Sequence, residues 1–231
     1  MNLRTPERPS RPAGNPQTSR PAPPALGFFL ALACLALLGM GFPGEAQALD
    51  PVGSLTRVQG KVSAMSGGDE RAMSPGDPVH LGETLITGEQ ARAELTMRDA
   101  TVITLSEQTL FTIERFDQAR HSARFEMVRG AFRAATGSIA KPSKPDFTVK
   151  TPLAVIGIRG TDFWGGFLTP EELSVFMISG RGVFVMNASG RQDITRPGQG
   201  ISVLSPDQPP SPAVMWGQPK VDRAFKTVTF E

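Results

Sequence analysis

The chain of 231 residues has one cysteine, no tyrosine, two tryptophans and two histidines. Each scarcity excludes a class of chemistry. The single cysteine, Cys34, sits inside an apolar stretch and follows Ala31-Leu32-Ala33, the pattern of a lipid-attachment site. A lipidated cysteine opens the mature chain, whereas here apolar residues continue for two further turns, so Cys34 reads as a small apolar residue of a leader. Without it there is no disulfide and no thiol nucleophile, and stability must come from a hydrophobic core. His80 and His121 lie far apart in sequence, and neither has a His, Cys or acidic partner at ligand spacing, so no metal is expected. No Gly-x-Ser-x-Gly elbow is present, and Gly157-x-x-Gly160 lacks the Lys-Ser/Thr of a phosphate loop. Asp69-Glu70 and Glu171-Glu172 fall among turn residues and read as solvated pairs, not general acid–base pairs. The expectation is a protein that is not an enzyme and takes no cofactor.

Residues 1–24 are polar and Pro-rich, with Arg4, Arg8, Arg11 and Arg20 against Glu7 alone. Ala25 to Phe42 is an unbroken run of apolar residues and glycine, followed by Pro43, Gly44 and Ala46-Gln47-Ala48. A positive start, an apolar middle and an Ala-x-Ala site predict a signal peptide over residues 1–48, cut after Ala48. The alternative is an uncleaved anchor, because residues 25–42 reach the lower length limit for a bilayer span. The leader holds four of the 24 basic and two of the 22 acidic residues, leaving 20 of each. The pI of about 9.0 is therefore largely the leader's. No basic run longer than two residues follows it, which leaves nucleic acid without an electrostatic footprint.

From Val52 to Leu204 the apolar residues alternate with period two. Ala91, Ala93, Leu95 and Met97 alternate with Arg92, Glu94, Thr96 and Arg98, and Ala123, Phe125 and Met127 with Arg124 and Glu126. These are half-buried strands. Leu173, Val175 and Met177 alternate with Ser174, Phe176 and Ile178, a strand apolar on both faces and therefore central. Turn residues recur at short intervals and no sustained helical stripe is read. The chain is predicted to be all-β: a single domain of many short antiparallel strands over residues 49–204, as a β-sandwich or a rolled, solenoid-like hairpin stack. Glycine recurs between apolar strands at Gly60, Gly130 and Gly180, a spacing too irregular for a fixed repeat; glycine bends around a small core explain it. Residues 205–231 read as a Pro-rich C-terminal tail, extended through 220, with Val221–Phe230 as a closing strand or docked tip.

One segment carries more. Phe147-Thr-Val-Lys-Thr-Pro-Leu-Ala-Val-Ile-Gly-Ile-Arg-Gly-Thr-Asp-Phe163 resembles the signature of FecR periplasmic domains: Thr-Pro, an apolar strand, then Gly-x-Arg-Gly-Thr-x-Phe. Weaker landmarks follow the family's order, among them Val58–Val62, Leu81–Gly88, Phe125–Gly130, Val175–Val185 and Pro197–Gln199, so the resemblance covers about residues 52–204. The chain departs from the pattern at Asp99-Ala100-Thr101, where many members have Asp-Gly-Ser, which questions a tight turn needing positive φ. The signature residues are Thr151, Pro152, Val155, Gly157, Arg159, Gly160, Thr161 and Phe163. Arg159 has two readings: a structural staple to carbonyls or to a carboxylate such as Asp162, or a residue that recognises an anionic partner. Trp164 and Asp162 are candidates for a partner surface; the alternative for Trp164 is a partly buried edge aromatic.

The resemblance implies a periplasmic or secreted protein of a Gram-negative-type envelope. FecR-type transmembrane regulators carry a sigma-factor-binding domain before the membrane span, and 24 Pro-rich residues are too few to fold as one. The expectation is a stand-alone recognition module that binds another envelope protein through strand edges and loops, in signalling or assembly. The alternatives are an envelope polysaccharide-binding domain or, with the leader retained, a membrane-anchored signal-transduction component that meets the membrane only through residues 25–42.

Overall fold

The computed structural model describes residues 50–140 and 146–231. The signal peptide, the apolar stretch 25–42 and Cys34 lie outside the described residues. Among those described, no helix is long and apolar enough to cross a membrane.

The chain forms β1 (Gly53–Gln59), β2 (Val62–Ser66), β3 (Asp69–Ala72), β4 (Pro78–Val79), β5 (Thr84–Thr87) and β6 (Arg92–Met97). Next come β7 (Val102–Leu105), β8 (Leu110–Asp117), β9 (Ser122–Arg129), β10 (Ala131–Ala135), a 3-10 turn at Ser138–Ala140, and β11 (Asp146–Lys150). The last are β12 (Val155–Ile158), β13 (Thr161–Thr169), β14 (Glu172–Gly180), β15 (Val183–Asn187), β16 (Gly190–Ile194), β17 (Gln199–Val203), β18 (Val214–Met215) and one helix, α1 (Gln218–Val228). The strands make two nine-stranded sheets, ordered β18-β17-β14-β13-β10-β7-β6-β1-β4 and β16-β15-β12-β11-β9-β8-β5-β2-β3. The all-β expectation holds, as a sandwich. Every pairing is antiparallel except β9 with β11, which run parallel.

The glycine echo marks the corners of this architecture. Gly60, Gly130 and Gly180 all have positive φ and stand where the chain leaves one sheet for the other: β1 to β2, β9 to β10, and β14 to β15. At Gly130 a Cβ would run into Thr109, so the corner needs both the missing side chain and the left-handed backbone.

Alternation decides what lies between the sheets. Ala93, Leu95 and Met97 of β6 and Ala123, Phe125 and Met127 of β9 are all buried, as their spacing predicts. A row of rings joins the layers: Phe147 to Phe125 (5.3 Å), Phe125 to Phe111 (5.3 Å), Phe111 across to Phe132 (5.6 Å), and Phe132 edge-on to Phe163 (5.3 Å). β14 is buried on both sides. Leu173, Val175 and Met177 enter this core, while Phe176 points outward and is still only 5% exposed.

What covers the outer face was not expected. Val221, Ala224, Phe225 and Val228 form one stripe of α1 and pack with Trp164, Phe176 and Trp216 in a second apolar cluster. The segment read as an extended tail ending in a closing strand or a docked tip therefore docks, as a helix, and forms a strap. Trp216 stacks on Phe176 at 4.9 Å at one end. At the other, Arg57 of β1 lies over the Phe230 ring at 4.1 Å, and the Glu231 amide donates to Gln59 Oε1 at 2.9 Å.

The departure at Ala100 is absorbed. Ala100 takes φ +66°, and its turn is held by the buried Asp99 carboxylate, which accepts from Thr101 N (2.9 Å), Thr101 Oγ1 (2.8 Å) and Ile139 N (3.0 Å). An alanine in the left-handed region is strained, so Ala100→Gly is expected to stabilise the domain by about 1 kcal/mol. Thermal unfolding reads this as a rise of a few degrees in Tm.

Candidate functional site

The signature crosses the sandwich from one end to the other and returns. At the near end Thr151 closes a turn on itself: its amide and hydroxyl both donate to the Ala154 carbonyl (2.9 and 2.7 Å), and its oxygen accepts from Ala154 N (3.1 Å). Pro152 is left exposed at the tip of this turn. Along β12, Val155 is half-buried, Ile156 and Ile158 are buried, and Gly157 is the position against which the Phe184 ring of β15 lies; a Cβ there would strike it.

At the far end the staple is a different arginine from the one the sequence suggests. Arg181 donates from Nε to the Arg159 carbonyl (3.0 Å) and from Nη2 to the Ala140 carbonyl (2.6 Å), passing close over Gly160, whose φ is +64°. Arg159 itself is exposed. Asp162 does not pair with it; a two-pronged bond from Arg133 occupies the Asp162 carboxylate (2.9 and 2.7 Å). Hydrogen bonds from Arg191 hold the Asp193 carboxyl below its ordinary range, and the nearby Arg159 charge acts in the same direction. Thr161 exchanges hydrogen bonds with Gly182 (2.8 and 3.2 Å), and its amide donates to Thr136 Oγ1 (2.9 Å). Phe163 faces the inner core. Trp164 is 1% exposed beneath α1, where Nε1–H donates to Thr227 Oγ1 at 3.0 Å. It cannot line a free recognition surface: the strap missed in the sequence covers it. His80 also differs from expectation, since its Nδ1 lies 3.3 Å from Glu83 Oε1; the acidic partner sits three residues on.

The open site lies at the near end. A cleft of about 720 Å3 is bounded by Pro152-Leu153, Val128-Arg129, the β13–β14 hairpin from Phe167 to Glu171, the β7–β8 turn, Leu204 and Thr227. Val128 (48% exposed) and Leu204 (65%) are large apolar side chains left open to water here. On the rim, Glu107 accepts from the Gln90 amide at 2.8 Å. Arg129 and Glu171 form no ion pair among the described residues. Of the signature, only Pro152 and its neighbour Leu153 reach this cleft.

Residues 83–181 match the family model described as FecR protein. That stretch of the chain is similar to FecR proteins. The match runs from the residue before β5 to Arg181, narrower than the span 52–204 suggested by the landmarks; Val58–Val62 and Pro197–Gln199 fall outside it. Two crystal structures of a protein from Parabacteroides distasonis, described as a "putative anti-sigma factor", share the fold, at TM-scores of 0.50 and 0.51 and 18% identity. Each alignment covers 60% of this chain and 62% of that one, so the likeness is to about three-fifths of their length. Among curated proteins no sequence matches.

The FecR-like segment is followed by β15–β18 and the strap, and Leu204 and Thr227 bring that C-terminal part into the cleft. The strap is latched by Lys220, whose ammonium donates to Glu172 Oε1 at 2.8 Å and sits 4.5 Å over the Trp216 ring. Lys220, then Ser202 and Ser174, draw the Glu172 carboxyl down to about 2. A depressed folded-state value contributes stability that is present above the ordinary carboxyl range near 4.5 and is lost as pH falls toward 2. Glu172→Gln is therefore expected to have a lower Tm than the parent at neutral pH. The gap between the two should close as pH is taken from about 4.5 down to 2, measured by thermal melts across that range. A gap constant with pH would deny the latch its ionic character.

Proposed function

We propose that the FecR-like domain is a periplasmic recognition module that binds another envelope protein in a signalling or assembly system and catalyses no reaction. The observation that carries this reading is the cleft, an open concavity whose exposed Val128 and Leu204 are costly in water and suited to burial against a partner. Most of its lining, beside the Thr151-Pro152 turn, falls within the matched segment 83–181, which supports an origin in the family's recognition role. The polysaccharide-binding alternative relied on Trp164, and with that ring under the strap no exposed tryptophan lines the cleft.

A pulldown from envelope extract tests the proposal, with the parent and Val128→Glu run side by side. A protein retained by the parent and lost from the variant supports it. Cell-wall glycan binding without any retained protein overturns it. N-terminal sequencing of the mature protein separates the exported forms: a start at Leu49 means a free module, an intact Met1 an anchored one.

A further inference from the structure

The cleft opens at a break inside the second sheet. β9 and β11 run parallel and pair from Ser122 with Asp146 to Glu126 with Lys150. There β11 ends, because Thr151-Pro152 turns the chain into β12, while β9 continues through Met127, Val128 and Arg129. Among the described residues no strand pairs with these on that flank, so β9 presents an open edge within the sheet. On the other flank they meet β8 through a bulge: Met127 faces Phe111, Arg129 faces Leu110, and Val128 is the extra residue. The outer edges of the second sheet are protected in ways this flank is not. β3 carries Asp69, Glu70 and Arg71, and β16 carries the Arg191–Asp193 ion pair. Pro152 and Leu153 line the cleft with Val128 and Arg129 and leave it unfilled.

We infer that this slot takes an extended segment of a protein partner, which lies as a short added strand along Met127–Arg129 and seats apolar side chains against Val128, Leu153, Phe167 and Leu204. The inference rests on the recognition reading above and gives it a binding mode. Main-chain pairing supplies affinity and the alternate apolar side chains supply selectivity. Charge sets direction. Arg129 and Glu171 stand on the rim without ion-pair partners among the described residues, so a complementary segment carries an acidic residue toward Arg129 and a basic one toward Glu171.

The test is selection of a random linear peptide library on the full chain, followed by synthesis of the best binder. Selected peptides are expected to alternate apolar residues between one acidic and one basic flank. Val128→Glu and Leu204→Glu should each weaken the synthetic peptide by about tenfold or more, a loss near 1.4 kcal/mol. Both positions are exposed, and unchanged Trp164 and Trp216 fluorescence verifies folding. N-methylation of a central peptide amide should also abolish binding, and exchange protection should rise within Met127–Arg129 in the complex. Peptides that bind both variants as well as the parent overturn the proposal, as does self-association abolished by Val128→Glu, which assigns the slot to a second copy. If selection yields nothing while an envelope protein is still retained, the added-strand mode falls and the recognition reading stands. If neither a peptide nor a protein binds, both fall.

Discussion

A chain ending at Met215 is expected to lose roughly 4 kcal/mol of folding stability, enough to leave a domain of ordinary stability marginal. The strap's own residues contribute little net, because the burial of Val221, Ala224, Phe225 and Val228 is set against an ordering entropy of about 1.5 kcal/mol per residue. What remains is the re-exposure of Trp164 and Phe176, now 1% and 5% exposed. Each loses roughly 1.5 to 3 kcal/mol of burial. The truncation also removes Trp216, so Trp164 becomes the single fluorophore, and its emission should shift to the red as water reaches the ring. Lower Tm, red-shifted emission and binding of an apolar dye are expected together. A truncated chain with unchanged Tm and buried Trp164 would mean that something other than α1 covers this face.

The strap also shows where the sequence could be read and where it could not. Period-two alternation at Ala91–Met97 and Ala123–Met127 was legible because one face of each strand meets the core and the other meets water. The two-sided apolar pattern of Leu173–Ile178 was legible as a central strand, but not what lay on its second face. The signal for that cover was present in Val221-x-x-Ala224-Phe225-x-x-Val228, with Pro219 in the first turn, a helical stripe hidden by the proline-rich stretch before it. The same omission misplaced Trp164, which is solvent-facing only if nothing follows residue 204.

The signature was legible as architecture, and the roles within it were not. Arg159 drew attention because it stands between two glycines. Yet the bonds that tie this corner come from Arg181, twenty-two residues later, and only the antiparallel register of β13 with β14 brings Arg181 over Gly160. The cleft is harder still to foresee. Its apolar rim joins Val128, Leu153, Phe167 and Leu204, residues from four separate stretches, and Val128 is thrown outward by a bulge that alternation alone cannot locate.

Phe132→Ala should be the most damaging single substitution, at about 3 to 5 kcal/mol. Phe132 holds the one inter-sheet link of the ring row, 5.6 Å from Phe111, and the edge-on contact with Phe163 at 5.3 Å. Removing it leaves a void between the layers and forfeits two aromatic contacts. Because the sheets share this core, the loss should be global: the urea midpoint falls, and amides of β9 and β13 lose exchange protection alike. Strap removal, by contrast, keeps Phe111 against Phe132 and strikes first at the outer face of one sheet. If Phe132→Ala lowered protection in the first sheet alone, the layers would be separate folding units and the ring row no common core. The distinction reaches the cleft, because Leu153 and Phe167 pack against the same core from its near end. A destabilised core should therefore weaken any ligand of the cleft indirectly, with a matching fall in Tm. Val128→Glu should weaken binding by about tenfold or more with Tm unchanged, and that divergence between stability and binding separates a surface that recognises from one that merely folds.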